Sequence, residues 1–249
     1  MASKEGHVWG ATHTGHRRKE NEDRFLIRRL EDLDGFLLAV ADGMGGEAGG
    51  GIAAQIVIDA LEHSRVAASD RERTLLRILE HCGERIRETA AQDQGLEGMG
   101  TTATVAIADR EHVSWAHVGD SRMYLFRSGS LKQITMDHTF VRELIEEGSM
   151  TEQEAARHPL RNMLDQCVGC GNMSPDSGRL DLRAGDRLLL CSDGLTRHVS
   201  DEAIASMLQA GTARQAVEAL QQQALDAGGK DNVTVVILDG PGSSALHEE

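Results

Sequence analysis

Thr102-Ala103-Thr104-Val105-Ala106-Ile107-Ala108, Val113-Ser114-Trp115-Ala116-His117-Val118 and Met123-Tyr124-Leu125-Phe126-Arg127 follow one another with only short polar punctuation, including Asp109-Arg110-Glu111 and Gly119-Asp120-Ser121. A fourth run, 131–134, comes after Ser128-Gly129-Ser130. Short apolar runs rich in β-branched and aromatic residues and bounded by turn formers predict strands. Connections this short cannot carry a parallel crossover, so the spacing predicts antiparallel neighbours.

Working outward, 7–14 and 24–29 read as strands around a polar segment, and 36–42 as another. Apolar residues then recur at helical spacing, first at Ile52, Ile56, Val57, Ala60 and Leu61, and again at Leu75, Leu76, Leu79, Cys82 and Ile86. A polar insertion with helical pieces runs from 138 to about 164, broken at Gly148 and Pro159. Beyond it the pattern predicts a strand pair at 179–182 and 187–192, helices at 201–208 and 213–225, and a last strand at 232–238. The sum is an α+β fold of two antiparallel sheets packed on each other and covered by helices. With 249 residues and no interior linker, one domain spanning 1–249 is expected. Both ends, 1–5 and 240–249, are polar and expected to fray.

Forty acidic against 26 basic side chains give a formal charge of −14, which repels nucleic acid and anionic membrane. No apolar run is long enough to span a bilayer, and residues 1–7 lack the apolar core of a secretory signal, so a cytoplasmic protein is expected. The basic cluster Arg17-Arg18-Lys19 is offset by Glu20, Glu22 and Asp23, leaving a local anion contact open. Cys82 and Cys191 fall on apolar faces and read as packing residues. Cys167 and Cys170 form a single CxxC, which could begin a zinc or redox site but lacks a second pair, so a structural role outweighs a metal one.

The chemistry sits at strand ends. Two apolar runs stop at Asp42-Gly43 and Asp193-Gly194, and Asp231 opens a third. Asp-Gly most often makes a turn. Three such acids at the rims of buried strands, far apart in sequence, instead suit an oxygen-ligated divalent cation. Asp120 supplies one more acid between strands, and the glycine-rich 43–51 favours a backbone carbonyl ligand over a phosphate cradle because it has no P-loop lysine. Arg17 or Arg18 could grip a phosphate in two-pronged fashion.

In this order, Arg18-Lys19-Glu20-Asn21-Glu22-Asp23, Ala41-Asp42-Gly43-Met44-Gly45-Gly46, Gly98-Met99-Gly100-Thr101-Thr102, Val118-Gly119-Asp120-Ser121-Arg122, Cys191-Ser192-Asp193-Gly194-Leu195 and Lys230-Asp231-Asn232-Val233-Thr234 resemble the bacterial protein phosphatase 2C (PPM) family of metal-dependent serine/threonine protein phosphatases. The resemblance covers nearly the whole chain. It implies a four-layer αββα sandwich and two Mn2+ or Mg2+ ions. Asp42 would bridge both ions, Asp193 and Asp231 would bind one, and the Gly43 carbonyl the other. Glu22 and Asp23 would act through water, Arg18 would hold the phosphate, Asn232 would support the site, and Asp120 would serve a weaker third metal. Arg197 stands where many relatives carry another acid for that third metal, which counts against it. Met44 stands near where eukaryotic relatives often have a histidine acid, with His138 as a candidate substitute. Residues 138–165 would form the variable flap.

The function so implied is hydrolysis of phosphoserine and phosphothreonine in proteins by a monomer opposing a serine/threonine kinase. The alternatives are a catalytically weak phosphoprotein-binding regulatory domain and a small-molecule phosphohydrolase.

Overall fold

The computed structural model describes residues 7–67, 69–155 and 157–242, with the side chains of 46–48 set aside. The fraying expected of 1–5 and of 243–249 lies outside the described residues.

One sheet has the order β1-β12-β11-β8-β9, formed by β1 (Val8–His13), β8 (Arg122–Arg127), β9 (Ser130–Gln133), β11 (Arg187–Cys191) and β12 (Val233–Asp239). The other has the order β10-β7-β6-β3-β2, formed by β2 (Arg24–Leu30), β3 (Gly35–Ala41), β6 (Ala103–Ala108), β7 (His112–Val118) and β10 (Asp176–Asp181). All pairings in both are antiparallel. A small ladder of β4 (Gly43–Met44) with β5 (Gly100–Thr101) lies beside them.

Period-2 alternation puts successive side chains on opposite faces of a strand, so a central strand must be apolar on both. Phe36, Leu38 and Val40 of β3 meet Leu188 and Leu190 of β11 and Val236 of β12 between the sheets. Leu37 and Ala39 turn the other way, onto Val57 and Leu61 of α1 (Gly46–Glu62) and Leu75, Leu79 and Ile86 of α2 (Arg71–Gln92). On the far side Leu189, Val235 and Ile237 meet Ile204 and Leu208 of α6 (Asp201–Leu208) and Val217 and Leu220 of α7 (Ala213–Asp226). The four layers are therefore helix, sheet, sheet, helix. At about 2–5 kcal/mol for truncating one buried leucine to alanine, this double-faced burial dominates the stability of the frame.

Helix ends follow local chemistry. Thr212 and Gln215 form a reciprocal capping box on α7, and Ser200 caps α6. Among the described residues no helix is long and apolar enough to cross a membrane.

Two sequence expectations are corrected. Residues 179–182 and 187–192 are not a strand pair: β10 joins β7 in one sheet, whereas β11 lies between β8 and β12 in the other. Likewise Gly119-Asp120-Ser121 is not a hairpin turn, because β7 and β8 belong to different sheets. Gly119, at φ 108°, lets the chain step across the rim there. Helix α1 begins at Gly46, inside the glycine run and ahead of Ile52, the first apolar position of its helical spacing. Residues 138–165 carry two short helices, α3 (Phe140–Glu146) and α4 (Glu152–Ala155), above a base where Asp165 N–H donates to His138 O at 2.9 Å.

Candidate metal centre

One end of the sandwich collects the N-terminal end of β2, the C-terminal ends of β3 and β11, the N-terminal end of β12 and the β7–β8 crossing. These deliver Glu22 and Asp23, Asp42, Asp193, Asp231 and Asp120 respectively. Asp193 opens a single helical turn, α5 (Asp193–Thr196), directly after β11.

Neither Asp-Gly is a turn. Gly43 and Gly194 are absent from the positive-φ glycines; Gly43 is extended in β4 and Gly194 is helical in α5. Each is required by close approach instead. A Cβ on Gly43 would lie 2.1 Å from Gly50 O, and one on Gly194 would lie 1.8 Å from Asn232 O.

Backbone and hydroxyl groups hold the acids in place. Asp42 N–H donates to Thr102 Oγ1 at 3.0 Å, and Asp42 O accepts from Thr102 N–H and Thr101 Oγ1, both at 2.9 Å. Asp23, almost wholly buried, accepts from Ser192 Oγ and Thr234 Oγ1 at 2.7 Å each. Asn232 straps the N-terminal loop to β12, donating to Thr14 O at 2.9 Å and Glu20 O at 3.0 Å while accepting from Glu22 N–H at 2.8 Å. Ser192, Thr234, Thr101 and Thr102 stand in the quoted motifs, but their work in holding the acids was not anticipated, since a hydroxyl beside an apolar run looks like an ordinary strand residue.

The acids outnumber their counter-charges. Burial, and then the neighbouring charges of Asp23, Asp193, Asp120 and Asp231, push the Asp42 carboxyl well above its usual range. Burial and Asp120 push Asp193 up to about 8 against the partial relief of Arg197. Burial pushes Asp23 up to about 6, although its two hydroxyl donors pull the other way. Glu22 Oε1, Asp23 Oδ1 and Asp193 Oδ1 are buried without a hydrogen-bond partner. An unpaired buried carboxylate oxygen costs free energy, and a bound cation removes that cost.

Two arginines answer part of the charge. Arg18 grips Asp231 with Nε and Nη2, each 2.9 Å from a carboxylate oxygen. Arg197 contacts Asp193 directly and lies 3.2 Å from Asp120 and 3.9 Å from Asp231. Among the described residues no three acidic, histidine or cysteine side chains close on one point as metal ligands do. The donor set still fits hard cations: all oxygen, net negative, with unpaired oxygens at its wall. A cavity of about 910 Å3 opens beside it toward 138–165, lined by Asp120, Arg142, Arg161, Arg197, Lys230 and Asp231 among others.

His138 is turned away from the acids. Its Nε2 lies 3.2 Å from Asp176 and its ring 4.9 Å from that of His117. Cys167 and Cys170 are disulfide-bonded to each other, and Cys82 and Cys191 are free and buried.

The family described as Protein phosphatase 2C matches residues 10–227. The chain belongs to the protein phosphatase 2C family. It is 42% identical over 223 residues to the serine/threonine protein phosphatase PstP of Mycobacterium tuberculosis, covering 87% of this chain but 43% of PstP, so it spans less than half of that relative. It is 32% identical to the serine/threonine phosphatase stp of Listeria monocytogenes, over 94% of this chain and 95% of stp. A crystal structure of the catalytic domain of PstP with two manganese ions superposes with a TM-score of 0.82 at 38% identity, covering 93% of this chain and 96% of that one. The protein phosphatase 2C match takes in Arg18, Glu22, Asp23, Asp42, Asp120, Asp193 and Arg197 and ends short of Asp231.

Proposed function

We propose that this member of the family hydrolyses phosphoserine and phosphothreonine in proteins with two Mn2+ or Mg2+ ions held at the acidic rim. The observation that carries the reading is the crowd of buried carboxylates with unpaired oxygens on Glu22, Asp23 and Asp193. The two-manganese structure of the PstP catalytic domain, 38% identical, supports the choice of metal and number.

Asp42, the Gly43 carbonyl, Asp193 and Asp231 would hold the ions, with Glu22 and Asp23 behind them. Bound divalent cations supply Lewis acidity toward phosphoryl oxygens and make water nucleophilic at neutral pH. The chain's own residues do the rest. Asp42 and Asp193 give up the protons that their surroundings favour when cations arrive. Arg18, anchored on Asp231 from a half-exposed position, is placed to bind two phosphate oxygens and offset charge on them. Asn232 keeps the loop bearing Arg18 and Glu22 fixed to β12, so these groups are positioned before substrate arrives. Arg197 engages Asp120 and Asp193 at once and supplies there the positive charge that a third ion would bring. The reading therefore has two ions, without a third at Asp120. The cavity beside 138–165, where Arg161 and Lys230 stand among lining acids and paired arginines, has room for a phosphorylated polypeptide, and a serine/threonine kinase is the implied source of that substrate.

The test is phosphate release from a phosphothreonine peptide and from an aryl phosphate, each with manganese, with chelator, and with Asp193→Ala. Activity on the peptide that needs manganese and disappears in the variant is expected. Metal-independent turnover contradicts the mechanism, and turnover of the aryl phosphate alone favours a small-molecule phosphohydrolase.

A further inference from the structure

Cys167 and Cys170 have no part in the proposed chemistry, yet their turn is pressed against β5, the strand that pairs with Gly43 and Met44 just after Asp42. Val168, between them, exchanges two backbone hydrogen bonds with Thr101: Val168 N–H to Thr101 O at 2.8 Å and Thr101 N–H to Val168 O at 3.1 Å. Thr101 in turn pairs with Gly43 across the β4–β5 ladder and donates its hydroxyl to Asp42 O. Contact is tight throughout. A Cβ on Gly100 would lie 2.5 Å from Cys167 Sγ, and one on Gly169 would lie 2.5 Å from Ile86 of α2. The same turn ends the 138–165 insertion: Asn172 Nδ2 donates to Asp165 O at 2.7 Å, and Ser174 N–H donates to Gln166 Oε1 at 2.8 Å.

The bridge spans a sequence separation of only three, so it restrains little of the unfolded chain and is a poor general staple. Two cysteines at CxxC spacing are also suited to thiol–disulfide exchange. Cys167 is buried, whereas Cys170 is half-buried and is the sulfur a reductant can approach. The other thiols do not compete: burial pushes Cys82 up to about 11 and Cys191 up to about 12.

We propose that the Cys167–Cys170 disulfide is a redox-exchangeable latch, opened by a dithiol reductant, that holds the Asp42–Gly43 edge and the base of the 138–165 insertion in register. A thiolate of the reductant attacks Cys170 Sγ, the Cys167–Cys170 bond breaks, and Cys167 leaves as a thiolate that takes up a proton. The reductant's second thiolate then attacks its own sulfur in the mixed disulfide, releasing Cys170 as a thiolate that is protonated in turn. Two electrons pass to the protein, and the reductant departs as a disulfide. With the bridge open, the Val168–Thr101 pairing loses its tether and Thr101 holds Asp42 less firmly. Cys167 and Cys170 are thus positioning residues, and the effect on metal affinity rests on the metal-centre reading above.

The experiment compares the full chain oxidised, reduced by dithiothreitol without denaturant, and reoxidised, together with Cys170→Ser as a permanently open form. Thiol alkylation with mass detection reads the bridge, hydrogen exchange reads the Thr101 and Val168 amides, and calorimetry reads manganese binding. Reduction is expected to label Cys167 and Cys170 alone, to speed exchange at both amides about tenfold, and to weaken manganese binding about 5- to 10-fold. Cys170→Ser should match the reduced form, and reoxidation should restore the wild type. A bridge reducible only in denaturant, or unchanged amide exchange after reduction, overturns the latch. If neither form binds manganese, the metal reading fails, and hydrogen exchange still decides the latch.

Discussion

The two ends of the sandwich carry aspartates in the same way and treat them oppositely. At the end away from the candidate site, three aspartates each face an arginine: Arg127 makes a two-pronged contact with Asp186 at 2.8 and 2.6 Å, Arg187 lies 2.8 Å from Asp239, and Arg71 lies 2.7 Å from Asp109. For Asp109, burial alone would raise the carboxyl, but the N–H groups of Glu111 and His112 and the Arg71 guanidinium outweigh it and hold it below its usual range. At the candidate site, Glu22, Asp23, Asp42, Asp120, Asp193 and Asp231 crowd around two arginines, and Asp23, Asp42 and Asp193 are raised. A strand-end aspartate therefore signals little by itself. The missing counter-charge is what separates a binding site from a structural ion pair.

The contrast is broken most sharply by matched substitutions. Asp193→Asn is expected to cut peptide phosphatase activity about a thousandfold while leaving the metal-free fold no less stable, because it removes an acid that its neighbours repel. Asp186→Asn should do the reverse. It weakens the two-pronged contact of the partly exposed Arg127 and is expected to cost about 1–2 kcal/mol in urea unfolding, with manganese affinity unchanged.

Arg197→Ala tests the middle ground, where one guanidinium stands in for a cation. It frees Asp120 and Asp193, so manganese bound per chain, measured by mass spectrometry of the metal, is expected to rise from two to three. An unchanged count would show that Asp120 is no ion site even when released.

The pH dependence is a smaller effect and distinguishes the two ends by sign. Asp193 at about 8 and Asp23 at about 6 keep protons in the folded, metal-free protein at pH values where their unfolded counterparts, at 3.8, have lost them. The unfolded chain then binds fewer protons, so the contribution of these groups to metal-free stability falls as pH rises from 3.8 toward 8. Manganese competes with those protons, and its affinity should climb over the upper part of that range and level off above pH 8. Asp109, depressed, contributes in the opposite sense, its stabilisation present above 3.8 and lost as pH falls through its lowered value. Thermal melts with and without manganese across pH 5 to about 9 would read both signs.

Much of this was legible in the chain. The central strands β3, β6, β11 and β12 were readable because double-faced burial writes them as near-unbroken apolar runs, and the strand-end acids followed from them. Which strands pair was less legible. Gly119-Asp120-Ser121 looks like a hairpin turn, and only the second sheet shows that it crosses the rim instead. Gly43 and Gly194 looked like turn glycines, whereas their freedom from a side chain serves close packing against Gly50 and Asn232. Arg197 was visible as a departure from the family pattern, but its reach to Asp120, Asp193 and Asp231 at once depends on three segments remote in sequence. The Cys167–Cys170 bond was open in the sequence, since one CxxC suits a metal, a disulfide or neither.

The central claim, that the acidic rim is a two-cation centre, is tested most directly by manganese titration of the full chain at pH 8 with Asp42→Asn and Asp109→Asn alongside. Two ions per wild-type chain, loss of binding in Asp42→Asn and unaltered binding in Asp109→Asn are the expected result. Absence of binding by the wild type, or equal binding by Asp42→Asn, would contradict it.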